Sequence, residues 1–269
     1  MRNRWLLLPL FGLATVISAG PLHAEAATRT EIPSVLADDP KEFWRAVMEA
    51  FYGPYDRALK CWVGTVDGQR QCMRPHRLDT VSGEAGTRYF VVTGGYPLGD
   101  GNAHADCHAC AGSLGLIVLE AGGDTLDMVA RNSLAEPAGA WGAVPPEESF
   151  RLRQTGDGRH GWTMETGWTG QGYNLGTTVV YGVAGSDVIE LGSIPVYADN
   201  SGTCGDGLGA CYVRSYEIVF DPGAGGQHYD IVMRKTDEAT EGPDSFRVPF
   251  DDAALKYEVP AEAEALINQ

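Results

Sequence analysis

The sequence predicts a mainly β fold: an antiparallel sandwich, barrel or irregular propeller-like meander with one N-terminal helix. Three observations lead there. Ten or more short runs of strand-forming residues follow one another closely, with no helical pattern between them. Short links rich in Gly, Asp, Asn and Pro separate them, such as Gly122-Gly123-Asp124, Gly156-Asp157-Gly158, Gly185-Ser186-Asp187 and Asp221-Pro222-Gly223. Only one stretch, near the start, has clear 3.6-residue periodicity. No internal repeat is evident, which disfavours a regular propeller.

The chain opens with Arg2 and Arg4, an apolar run from Trp5 to Ile17 broken once by Pro9, and Leu22-His23-Ala24. This is the pattern of a secretory signal peptide over residues 1–24; Ala24-Glu25-Ala26 offers a second cleavage register. The apolar run falls short of the roughly 20 residues that span a bilayer. No cysteine follows it for lipid attachment, and no later segment reaches spanning length. Residues 25–36 read as a flexible lead, 37–259 as one disulfide-stapled β-rich domain, and 260–269 as an acidic tail that frays as a short helix.

The helix begins after Asp38 or Asp39 as cap, with Pro40 in the first turn. Phe43, Trp44, Val47, Met48 and Phe51 share one face, and Gly53-Pro54 stops it. An aromatic stripe at that spacing docks onto a sheet more often than it holds a cofactor. The run from Cys61 to Val66 then meets Asp67-Gly68, a two-residue hairpin signal, and returns through Cys72. Further strands are expected at 88–93, 114–120, 125–130, 149–154, 162–166, 177–183, 188–191, 212–220 and 228–233. Leu114 to Leu119 is apolar throughout, which fits a central strand covered on both faces.

All six cysteines lie beyond the leader, in three close pairs. In an exported chain an even set reads as disulfides, and proximity favours Cys61–Cys72, Cys107–Cys110 and Cys204–Cys211. Each closes a short loop and stabilises by roughly 2–3 kcal/mol at most. Removing the leader leaves 18 basic against 36 acidic residues. That balance disfavours nucleic acid and anionic lipid as partners and suits cationic ones.

The densest chemistry is the stretch from Asp100 to Cys110, in which His104, Asp106 and His108 flank Cys107 and Cys110. These residue types bind zinc or copper, and alternating oxygen donors suggest calcium. Ligands so close in sequence rarely converge on one centre, and oxidation would withdraw both thiolates. A thioredoxin-type redox role needs the first thiolate at a helix N-terminus, whereas a strand follows here. A structural disulfide with no cofactor is therefore preferred over a metal or redox site. Ala111-Gly112-Ser113-Leu114-Gly115 imitates a nucleophile elbow, but the same strand removes the required helix.

The segment 161–173 is the most distinctive. Trp162, Met164, Thr166 and Trp168 alternate along one face, and Gly167, Gly170 and Gly172 permit close bends. Exposed, Trp162, Trp168 and Tyr173 would stack on a glycan with Glu165 and Gln171 as polar partners; buried, they are core. Glu165 alone does not make a glycosidase, which needs two carboxyl groups. The glycine-rich loop 199–211 lacks the Lys and helix of a phosphate cradle and reads as a disulfide-closed hairpin tip open to a partner. The resulting expectation is a noncatalytic periplasmic or secreted module that binds an envelope protein or glycan through 99–110, 161–173 and 199–211. The alternative is a metal-dependent or hydrolytic enzyme centred on the loop from His104 to Cys110.

Overall fold

The computed structural model describes residues 28–267, apart from 84–85, 105, 206, 208, 224–225 and 237–239. The leader, 1–24, lies outside the described residues. Strand β1 (Thr28–Pro33) leads through a 3-10 turn (Ser34–Asp38) into helix α1 (Pro40–Tyr52). The Asp39 carboxylate caps the helix, accepting from the N–H groups of Lys41 at 3.0 Å and Glu42 at 3.2 Å. Gly53, at φ 86°, ends it in a conformation that suits glycine.

A first antiparallel meander follows: β2 (Tyr55–Asp56), β3 (Cys61–Val66), β4 (Gln69–Gly83), β5 (Gly86–Pro97), β6 (Gly112–Ala121) and β7 (Thr125–Arg131). The short β8 (Glu136–Ala138) pairs with the start of β6. A second meander contains β9 (Phe150–Gly156), β10 (Arg159–Gly170), β11 (Tyr173–Ala184), β12 (Asp187–Asp199), β13 (Val213–Asp221), β14 (Asp230–Lys235) and β15 (Ser245–Val248). A small hairpin, β16 (Phe250–Asp251) with β17 (Lys256–Tyr257), and helix α2 (Ala261–Ile267) complete the chain. The meanders share one parallel bridge, Asp187 to Arg131, so the sheet is formally mixed and folds back on itself without closing into a barrel.

Period-two alternation explains the layers. Leu114, Leu116 and Val118 face Phe90, Val92, Phe150, Trp162 and Met164 in the core between the meanders. Ile117 and Leu119 face the other way, onto Phe43, Val47, Met48 and Tyr52 of α1. The run from Leu114 to Leu119 is thus covered on both faces, as its composition predicts. Val180, Leu191 and Ile194 turn outward onto Tyr216, Ile231, Met233 and Tyr257, forming a third core.

Two expectations require correction, and one long strand had no expectation. Residues 28–36 are not a flexible lead: β1 pairs antiparallel with β7, and Ile32 is buried under α1. The long β4 was not foreseen because Pro75 interrupts its pattern. The strand tolerates that proline where the register shifts between Pro75 and Arg77, a bulge that removes the need for a ladder donor. The C-terminal segment is a docked helix and not a frayed one, since Ala263 is fully buried in the third core.

The disulfides are Cys61–Cys72, Cys107–Cys110 and Cys204–Cys211, the local set. They indicate an oxidising environment. Among the described residues, no helix is long and apolar enough to cross a membrane.

Candidate functional site

The connection from β5 to β6 carries the dense His/Cys/Asp stretch. Its His104 ring stacks on Tyr96, with centroids 3.9 Å apart and planes 26° apart. His104 Nε2 lies 3.1 Å from the Gly142 carbonyl, which only accepts, so this nitrogen carries the proton. Arg74 covers the Tyr96 ring at 5.4 Å. His108 meets the edge of Trp141 at 5.1 Å instead. The two histidines are therefore held by different aromatic partners, Asp106 is exposed, and both sulfurs are bonded to each other. Among the described residues, no three His, Cys, Asp or Glu side chains converge as a metal site. Ser113 is buried in β6, where its hydroxyl donates to Gln71 Oε1 at 2.8 Å; a strand follows it, not a helix.

The segment 139–146, between β8 and β9, covers this loop. The Gly142 N–H donates to the Cys110 carbonyl at 2.7 Å, and Ala111 bridges Ala143. Gly112 makes the approach possible: a Cβ there would stand 2.4 Å from both the Ala143 carbonyl carbon and the Val144 nitrogen. Trp141 projects from the segment with 57% of its surface exposed. Sequence reading passed over this residue. Its signal was a lone tryptophan in a Gly/Pro-rich stretch with no strand periodicity, where a core role is hard to assign.

A groove of about 440 Å³ separates this segment from β10. One wall is Ala140, Ala143, Val144, Pro145 and Pro146, and the other is Glu165, Thr166 and Gly167. The β10 wall is a free strand edge. β9 pairs with β10 only as far as Phe150 opposite Met164, whereas β11 stays paired through Gly170 opposite Tyr173. Among the described residues, no strand pairs with the outer side of 165–170, so alternate backbone groups there lack a ladder partner.

The five candidates on β10 and its hairpin separate in space. Trp162 is 0% exposed and packs on Phe90 at 5.5 Å, so its ring belongs to the core and cannot stack on a ligand in this structure. Trp168 is 44% exposed, its ring lying over Gly170, where a Cβ would stand 2.4 Å from Cζ2. Glu165 is exposed and borders both the groove and a second depression of about 470 Å³ containing Arg153, Tyr197 and Glu217. Gln171 and Gly172, at φ 52° and 83°, form the hairpin tip, with Tyr173 half-buried behind them.

That tip meets the third predicted loop. The Gly202 N–H donates to the Gly172 carbonyl at 3.1 Å. Asp199 organises the start of the loop, accepting from the Ser201 N–H at 2.7 Å and from Asn174 at 3.2 Å. The Ser201 N–H is the main cause that holds the Asp199 carboxyl below its usual range, so it is ionised at neutral pH. Loops 161–173 and 199–211 thus adjoin, loop 99–110 adjoins segment 139–146, and the groove lies between the two groups. Compared with known proteins, the chain matches no family model, no curated protein and no solved structure.

Proposed function

We propose that this is an exported, noncatalytic binding module, periplasmic or released to the medium, whose groove takes an extended segment of an envelope protein. The observation that carries the reading is the unpaired outer edge of β10 over 165–170, facing an apolar wall. An extended chain laid along that edge would complete the ladder, and alternate side chains would enter the groove. Trp141, 57% exposed in the segment that supplies one wall, and Trp168, 44% exposed on the strand that supplies the other, are the candidate aromatic anchors. Glu165 at the edge and the acidic balance of the chain favour a segment carrying Lys or Arg. A protein segment is preferred over a glycan because the second ring of the expected stacking platform, Trp162, is buried.

The test uses isotope-labelled protein exported with its disulfides intact, titrated with a synthetic peptide of alternating Lys and Val. Saturable shifts confined to 139–146 and 165–170 are expected. The same peptide interrupted by Pro should fail to bind, because it cannot form the ladder. Trp168→Ala should weaken binding by about tenfold or more. Equal, diffuse shifts with both peptides would reduce the interaction to general charge attraction, and binding of oligosaccharides alone would replace the partner class.

A further inference from the structure

At the opposite end of β10 the two meanders part around a second, smaller cavity of about 70 Å³. Its floor is apolar, with Val118 and Val129 from the first meander beside Phe90. Its rim is basic: Arg88, Arg159, His160 and His228. In a chain with 20 lysines and arginines against 36 acids, four basic side chains and no lining carboxylate is an unusual local balance. Such a basic rim over a low-dielectric floor concentrates positive potential.

The basic groups are only partly satisfied by the protein. Arg88 Nε donates to Glu120 at 3.0 Å, and Arg159 Nη2 donates to the neutral amide of Gln227 at 3.2 Å. His228 is 4% exposed and packs on Phe250 at 4.5 Å, and its Nδ1 has no hydrogen-bond partner. A buried polar atom left in that state calls for an explanation, such as a ligand. Burial holds both imidazoles below their usual titration range, and the neighbouring guanidiniums, Arg88 for His160 and Arg159 for His228, push the same way. Only Asp252, beside His228, and its contact with the Thr155 carbonyl act in the opposite sense. An anion on the rim would face both guanidiniums and favour the charged form of both imidazoles.

We infer that this cavity binds the carboxylate of a small organic acid, its oxygens on the Arg88–Arg159 rim and its short alkyl body on Val118 and Val129. At roughly 30 Å³ per water the space corresponds to about two water molecules, which limits the alkyl body to a short chain. Guanidinium forks match carboxylate geometry, and the apolar floor favours an organic acid over a fully hydrated inorganic anion.

The test is titration of the intact exported protein with sodium propionate, followed through the imidazole NMR signals of His160 and His228, with phosphate and chloride at equal ionic strength for comparison. Propionate should give saturable shifts on both rings and bind at least about tenfold more tightly than phosphate, a difference of about 1.4 kcal/mol. With propionate bound, the His228 midpoint should rise from about 4, because the anion stabilises the imidazolium. Arg159→Gln, a change at an exposed position, should weaken propionate binding by about tenfold while the unliganded protein keeps its thermal midpoint. Arg88→Gln should act in the same direction. Non-saturating shifts shared by all three anions, or propionate binding unchanged in both variants, would overturn the site, and tighter phosphate binding would overturn the ligand class.

Discussion

Single side chains hold together turns that their sequence neighbourhood leaves undetermined. Asn132, 6% exposed, follows β7 and replaces a ladder that has ended. Its Oδ1 accepts from the N–H groups of Leu116 and Leu134, both at 2.9 Å, and its Nδ2 donates to the Leu114 carbonyl at 3.0 Å. Leu134 is held at φ 67°, a conformation a leucine rarely adopts without such support. Asn132→Ala would strand these buried backbone groups and should lower stability by about 3 kcal/mol, read from the urea midpoint. A loss below about 1 kcal/mol would mean that the backbone finds other partners. Trp162 and Trp168 make a related point. Period-two alternation sets both on one face of β10, yet one is core and the other surface. The difference is where pairing with β9 ends, Met164 opposite Phe150, beyond which β10 is exposed or half-buried.

Among the elements, the disulfides differ in what surrounds them. Cys61 and Cys72 are fully buried and pack with Leu98, joining β3 to β4 across 11 residues of sequence. Cys107 and Cys110 are three residues apart in an exposed loop. Replacing Cys61 and Cys72 together by Ala should cost about 3 kcal/mol or more, from loop entropy and from the cavity left behind. Replacing Cys107 and Cys110 together by Ser should cost about 2 kcal/mol or less. Equal losses in paired denaturation curves would show that burial adds nothing to the first bridge. Element boundaries were legible wherever turn chemistry was strong. Asp67 at φ 51° and Gly68 at φ 82° make the two-residue hairpin their identities predict. The 15-residue β4 was not legible, because a proline that reads as a breaker is absorbed by a bulge. Nor was β1, whose short, mixed sequence becomes a strand only because β7 offers it an edge.

Over the whole molecule, layering buries three histidines enough to set an acid limit. Burial lowers His76, His160 and His228, the last to about 4 from an ordinary value of 6.5. The folded protein keeps His228 neutral, whereas the unfolded chain takes up a proton once the pH drops below 6.5. Stability is therefore unaffected by this group above pH 6.5, declines between 6.5 and about 4, and levels off for this group below that. The decline should approach 3 kcal/mol, at about 1.4 kcal/mol for each pH unit of displacement. Urea unfolding across that interval checks it: His228→Gln should flatten the slope, and an unchanged slope in the variant would remove His228 as its source. The β class and the helix were determined by sequence alone, and the sequence narrowed its cap to Asp38 or Asp39 and favoured the local cysteine pairs, because caps, hairpin turns and apolar alternation act between residues close along the chain. The structure selected Asp39 and that pairing. The groove, the free edge of β10, the part played by Trp141 and the basic cavity were decided only by tertiary structure. They depend on where one strand ends relative to another, and side chains distant along the chain meet there only after the two meanders have stacked.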